Sequence, residues 1–173
     1  MTEPRSAQYR GGLMLALYQP DIPQNAGTML RMCACLGVDA AIVGPAGFPT
    51  DDRHFRRSGM DYLDHVALAR HASFEDFEEW RREQAAQGLA RRLVLLSTKS
   101  PAHYFDCRFA PGDILMVGRE SAGVPQEVAS RADLSLAIPM QSGMRSLNVA
   151  VAAAMVLGEA LRQLRAEPAM TGD

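Results

Sequence analysis

Four short stretches of the chain concentrate residue types that do chemistry. They are Pro23-Gln24-Asn25-Ala26-Gly27-Thr28-Met29-Leu30-Arg31; Ser97-Thr98-Lys99; Gly118-Arg119-Glu120-Ser121-Ala122-Gly123-Val124-Pro125; and Ile138-Pro139-Met140 leading to Arg145-Ser146-Leu147-Asn148. Glycine lets a backbone approach a ligand closely, and arginine offers a charged planar fork suited to a phosphate or an oriented hydroxyl. None of the four contains G-x-G-x-x-G or a P-loop, so neither a dinucleotide nor a nucleoside-triphosphate fingerprint is present. Cys33 and Cys35 are two apart on a predicted helix and point about 200° apart, and Cys107 is alone, so no zinc site is encoded.

Each stretch follows an apolar run, as expected of loops leaving the carboxyl ends of strands, where open α/β sheets bind ligands. Strands are predicted over residues 13–18, 40–43, 93–97, 114–117 and 134–138, with a further short one within 62–68. The last three of the long runs are continuous apolar segments of the kind buried on both faces of a parallel sheet. Helices are predicted over 25–36, ended by Gly37, within 51–58, from Ser73 to about 84, and over 147–165. Ser73 with Asp76 makes a capping-box-like start, and Phe74, Phe77 and Trp80 fall on the inner side of that helix. Arg81-Arg82 and Arg91-Arg92 flank it and read as solvated charges. The alternation predicts an α/β fold, a mostly parallel sheet with helices on both faces. One domain is expected over 13–165, between a polar tail at 1–12 and a C-terminal tail at 166–173.

The chain has 173 residues and a mass of 18.8 kDa, which suits one core. Hydrophobic residues at 47% and charged residues at 22% exclude a disordered or low-complexity chain. A net charge of −2 and a pI near 6.1 exclude a bulk-electrostatic nucleic-acid coat but permit a local basic patch. An odd number of cysteines favours a reducing compartment and a cytoplasmic address. Arg5 and Arg10 precede an apolar run at 13–18 that is too short for a signal peptide. The longest apolar stretch, 149–157, is about half of the roughly 20 residues a membrane span needs. The first half of the last helix is apolar around nearly its whole circumference. That predicts a second cover, most simply another subunit in a homodimer, the alternative being a helix sandwiched inside its own fold.

Taken in order, three of these stretches and the run from Arg56 to Tyr62 resemble the SPOUT superfamily of RNA methyltransferases, specifically the small single-domain tRNA (cytidine(34)-2'-O)-methyltransferases. The resemblance rests on N-x-G-x-x-x-R at Asn25, Gly27 and Arg31, and on R-R-x-G-x-D-Y at Arg56, Arg57, Gly59, Asp61 and Tyr62. It continues with G-x-E-x-x-G at Gly118, Glu120 and Gly123, then I-P-M and R-S-x-N at Ile138, Arg145, Ser146 and Asn148. Arg119 stands where relatives often have Pro and Ala150 where Ser is common, both beside the motif positions. The resemblance implies a C-terminal trefoil knot, a dimer, and S-adenosylmethionine bound inside the knot; a knot is nearly absent from general expectation.

By the same resemblance Arg31, Asn25, Ser146 and Asn148 are expected to serve catalysis, and Leu96, Gly118, Ile138 and Ser146 to bind the cofactor. Leu and Ile would give adenine an apolar bed, although strand-end packing explains both equally well without the resemblance. A branched side chain at Gly118 is expected to fill ligand space and leave the fold intact. Arg31 is expected at the reaction centre, where methyl transfer to a ribose 2'-OH is an in-line displacement that demands alignment and loss of the hydroxyl proton. Neutralising an arginine near pH 7 would cost roughly 7 kcal/mol, so orientation of the hydroxyl or a neighbouring phosphate is favoured over a base role. Arg53, Arg56, Arg57, Lys99, Arg119 and Arg145 are the expected RNA contacts, enough for several phosphates. Glu120 is expected to bond backbone amides of its own loop or a partner arginine. His54 and His103 could stack on bases; His65 and His71 show no partner spacing. The rival readings are another RNA target, a catalytically idle RNA-binding module and, more distantly, an oxidoreductase.

Overall fold

The computed structural model describes residues 12–57 and 61–166. Gly59 of the second motif, Arg5, Arg10 and most of both expected tails lie outside the described residues. The strands are β1 (Met14–Tyr18), β2 (Asp39–Val43), β3 (Leu68–His71), β4 (Leu93–Leu96), β5 (Ile114–Val117) and β6 (Leu134–Leu136). The helices are α1 (Pro23–Leu36), α2 (Asp52–Arg57), α3 (Phe74–Ala86), α4 (Gln126–Ala129) and α5 (Val149–Ala166).

All strand pairs are parallel, and the six-stranded sheet has the order β3-β2-β1-β5-β4-β6. Such a sheet must be covered on both faces, and the alternation of side chains divides the core accordingly. Leu15, Leu17, Ile42, Val94, Leu115, Val117 and Leu136 pack with Met29, Leu30 and Cys33 of α1 and Ala153, Val156, Leu157 and Ala160 of α5. Met14, Ala16, Val43, Leu95 and Met116 face the other way, onto Phe74 and Phe77 of α3 and Val128 of α4. Gly37 stops α1 in the left-handed conformation (φ +68°) that glycine adopts without steric cost. Ser73 accepts from the Asp76 amide at 3.1 Å, the side-chain cap expected of it.

Two expectations need correction. The strand placed within 62–68 is a 3₁₀ turn over Asp61–His65; pairing starts only at Leu68, opposite Ala40. Arg91 and Arg81 are not solvated: Arg91 is buried, donates to the Gly112 carbonyl (3.0 Å) and lies over Trp80, while Arg81 bridges Glu78, Asp133 and the Arg91 carbonyl. Arg92 holds the buried Asp113 through two bonds, and Arg82 alone of the four remains an exposed surface charge, beside Glu79. On α5, Ala153, Val156 and Leu157 are buried, whereas Val151 is 49% and Met155 39% exposed on the single chain, so this helix is not sandwiched inside its own fold.

Candidate active site

One side chain ties together the loops that follow β1, β5 and β6. Asn25, in the first turn of α1, donates through Nδ2 to Glu120 Oε1 (3.3 Å) and accepts at Oδ1 from Asn148 Nδ2 (3.1 Å). Asn148 also accepts from the amides of Ala150 and Val151 (2.8 and 3.3 Å), so it caps the start of α5 while reaching α1. Three of the four motifs therefore meet at Asn25. The remaining one arrives through Tyr62, whose hydroxyl donates to the Gly27 carbonyl at 2.6 Å and draws the 61–65 turn against α1. Burial raises the Tyr62 phenol pKa even though the nearby Arg31 charge pulls it down. Arg31 itself is exposed, and among the described residues no carboxylate pairs with it.

Glu120 finds its partners neither in its own loop nor in an arginine. Its Oε2 accepts from the Asp21 amide (3.1 Å), 99 residues away, and the Asp21 carboxylate accepts in return from the Glu120 amide (3.1 Å) and the Ser121 hydroxyl. Asp21 stands outside all four stretches. Nothing in local spacing could have marked it, because its partners come from a strand added a hundred residues later.

The expected cofactor residues end or follow the neighbouring strands β5, β4 and β6. Leu95 pairs with Met116 and Leu96 with Leu136, so Gly118 falls one residue and Ile138 two residues beyond the level of Leu96. Leu96 and Ile138 are half-buried on the α1 and α5 face, unlike the closed interior residues Val94 and Leu95. Arg145 and Ser146 are exposed in the segment leading to Asn148.

Gly118 is required for a reason different from the one expected. A Cβ there would stand 2.7 and 2.8 Å from the Gly123 carbonyl carbon and Cα, inside the turn closed by Arg119 N to Gly123 O (3.1 Å) and Gly123 N to Arg119 O (2.8 Å). Any side chain at Gly118 forces this loop open, so the loop itself would not survive substitution intact.

The basic residues differ in availability. Arg53, Arg56 and Arg57 are exposed on α2, and Arg56 pairs with Asp64 at 3.1 Å. Arg119 donates through Nε to the Gly123 carbonyl (3.2 Å) and lies over the Tyr18 ring, which leaves its other nitrogens for a ligand. Lys99 is exposed just past β4. His54 bonds Asp51, and His103 packs against Phe105 with centroids 5.3 Å apart. Burial pushes the Cys33 thiol up to about 12, while Cys35 is exposed on the other side of α1. Among the described residues no three metal-ligating side chains cluster.

Residues 12–158 match the SpoU rRNA Methylase family. The chain is 67% identical over 153 residues to a tRNA (cytidine(34)-2'-O)-methyltransferase of Beijerinckia indica subsp. indica, covering 88% of this chain and 92% of the relative. Among solved structures it is similar to one concerned with the 2-OH methylation of C/U34 on tRNA, with TM-score 0.79, 41% identity, and coverage of 88% of this chain and 96% of that one. It is also similar to the SpoU methyltransferase AviRb of Streptomyces viridochromogenes in complex with AdoMet, with TM-score 0.81, 28% identity, and coverage of 90% and 59%.

Proposed function

The chain belongs to the SpoU rRNA Methylase family, and from that membership we propose that it methylates the ribose 2'-OH of the wobble nucleotide, cytidine or uridine 34, of a tRNA. The observation that carries the reading is the convergence on Asn25 of the loops after β1, β5 and β6, together with 67% identity to an enzyme of that name. S-adenosylmethionine supplies, when bound, a methyl group on a sulfonium. Leu96 and Ile138 hold its adenine, and the Gly118–Gly123 loop and Ser146 complete that side of the site.

Arg31 faces the RNA. With no carboxylate neighbour among the described residues, its guanidinium is available to a ribose hydroxyl or the adjoining phosphate. Asn25 and Asn148 fix the helix that carries it. Arg53, Arg57, Lys99 and Arg145 contact phosphates further out, with Arg56 and Arg119 contributing the nitrogens left by Asp64 and Gly123.

The uncovered Val151 and Met155, with the exposed Leu147 and Met144 before them, form the face that a second copy covers. The trefoil knot implied by the resemblance belongs to the same reading, as do a reducing environment for the free cysteines and a cytoplasmic address.

The test is nucleoside mass spectrometry of tRNA from a strain lacking the gene, paired with methylation of transcripts in vitro. Loss of 2'-O-methylation at position 34, restored by the purified protein, is expected. Methyl transfer to ribosomal RNA alone would replace the wobble assignment, and absence of any transfer would leave an idle binding module.

A further inference from the structure

We propose that Asp21 is a positioning residue: its carboxylate latches the 118–123 loop to the start of α1, so that the cofactor side of the site and the helix bearing Asn25 and Arg31 keep one fixed separation. The latch closes in both directions. Asp21 accepts from the Glu120 amide and the Ser121 hydroxyl, and its own amide donates to Glu120, which holds Asn25 with its other oxygen.

Pro23 presets the first turn of α1, but no side chain caps it: the cap residue, Ile22, makes no side-chain bond. The anchoring therefore comes from across the sheet. It falls between β1 and β5, whose loops leave toward opposite faces, α1 on one and α4 on the other. Such a crevice is where an α/β sheet otherwise opens. A third loop backs the latch: the Gly47 amide donates to the Pro20 carbonyl (2.9 Å), and a Cβ at Gly47 would meet Asp21 Cα at 3.1 Å. Bonds from Glu120 and Ser121 hold the Asp21 pKa below its ordinary value, whereas burial and then Asp21 raise that of Glu120.

What the latch serves rests on the methyltransferase reading; its existence does not. The test compares Asp21→Ala, Asp21→Asn and Ser121→Ala with the parent protein. In tRNA methylation Asp21→Ala is expected to lower kcat about 100-fold, the scale of a 1 Å misplacement, with the KM for tRNA and the melting midpoint little changed. Asp21→Asn, which keeps an acceptor for the Glu120 amide, is expected to recover most of the rate. Hydrogen exchange at the Glu120 amide is expected to accelerate at least about tenfold in Asp21→Ala and not in Asp21→Asn.

A near-parental kcat in Asp21→Ala overturns the proposal. So does a loss of stability that Asp21→Asn does not repair, which marks a purely structural residue. Should Asp21→Ala fail to fold, Ser121→Ala decides: a several-fold lower kcat at an unchanged midpoint is expected, and an unchanged kcat overturns the latch. If the parent methylates no tRNA, the functional reading fails by itself, and unchanged Glu120 protection in Asp21→Ala is then the result that overturns the latch.

Discussion

At the scale of single residues, the site divides between side chains that hold one another and side chains left open. Asn25, Glu120 and Asn148 are engaged with each other, while Arg31, Arg145 and Ser146 face outward. Arg31→Ala is accordingly expected to bind S-adenosylmethionine nearly as the parent does yet lose most of its turnover, and Arg31→Lys to recover little, because a point charge on a flexible stem cannot reproduce a planar fork. Calorimetry with the cofactor, beside methylation at saturating tRNA, checks both halves; a near-parental rate at saturating RNA would reduce Arg31 to docking. Gly118→Ala already places a carbon against the Gly123 backbone, so it is expected to weaken cofactor binding by about tenfold or more, or roughly 1.4 kcal/mol, and to lower the melting midpoint. Unchanged affinity would remove Gly118 from the site. Residue types and spacing were enough to nominate Asn25, Arg31, Gly118 and Asn148. They could not show that Glu120 turns away from its own loop toward Asp21, since that depends on which strands become neighbours.

At the scale of elements, the strands other than β3 were legible as short, mostly apolar runs, whereas β3, LARH, was not, and α1 was legible because Gly37 punctuates its end. The 61–65 turn was not, because Tyr62 and Leu63 look like strand residues until Tyr62 is seen bonding Gly27. The four-residue α4 and the 3₁₀ turn at Tyr104–Asp106 are too short for any periodic signal. His71 ends β3 against Phe77 and Trp80, at 5.4 and 5.3 Å, with Nε2 buried and unpartnered among the described residues. Burial lowers its pKa, and Asp76 only partly opposes this. The fold therefore prefers the neutral ring. Its contribution to stability is full above the unfolded-state value of about 6.5 and is lost as the pH falls through the lower folded-state value. Thermal melts at about pH 7.5 and pH 5 should show a smaller acid-induced drop for His71→Phe, which keeps the ring packing but cannot titrate, than for the parent. Equal drops would assign the acid sensitivity elsewhere.

At the scale of the whole molecule, α5 decides the assembly. Val151 and Met155 are uncovered on the single chain, so Val151→Glu or Met155→Glu should leave a folded monomer, because the new carboxylate meets water there and is buried only in a dimer. Sedimentation of the parent as a dimer at micromolar concentration and of either variant as a monomer is the expected pair of results; a fully active parental monomer would defeat it. Apolarity along 149–157 was visible in the chain, but the division into a face packed on the domain and a face left open required the sheet. The strand order has a consequence for how this chain comes into being. β1 lies at the centre of the sheet, yet its register on one side pairs Met14 with Ile114, 100 residues downstream. During synthesis at about 5–20 residues per second, that edge of β1 waits roughly 5–20 s for its neighbour. It is fully apolar, MLALY, and an unpaired apolar edge recruits other chains. Half-made copies on one message are thus most prone to stick to each other through β1 before β5 emerges, and slow long-range closure makes this the step at which a chaperone has most to protect.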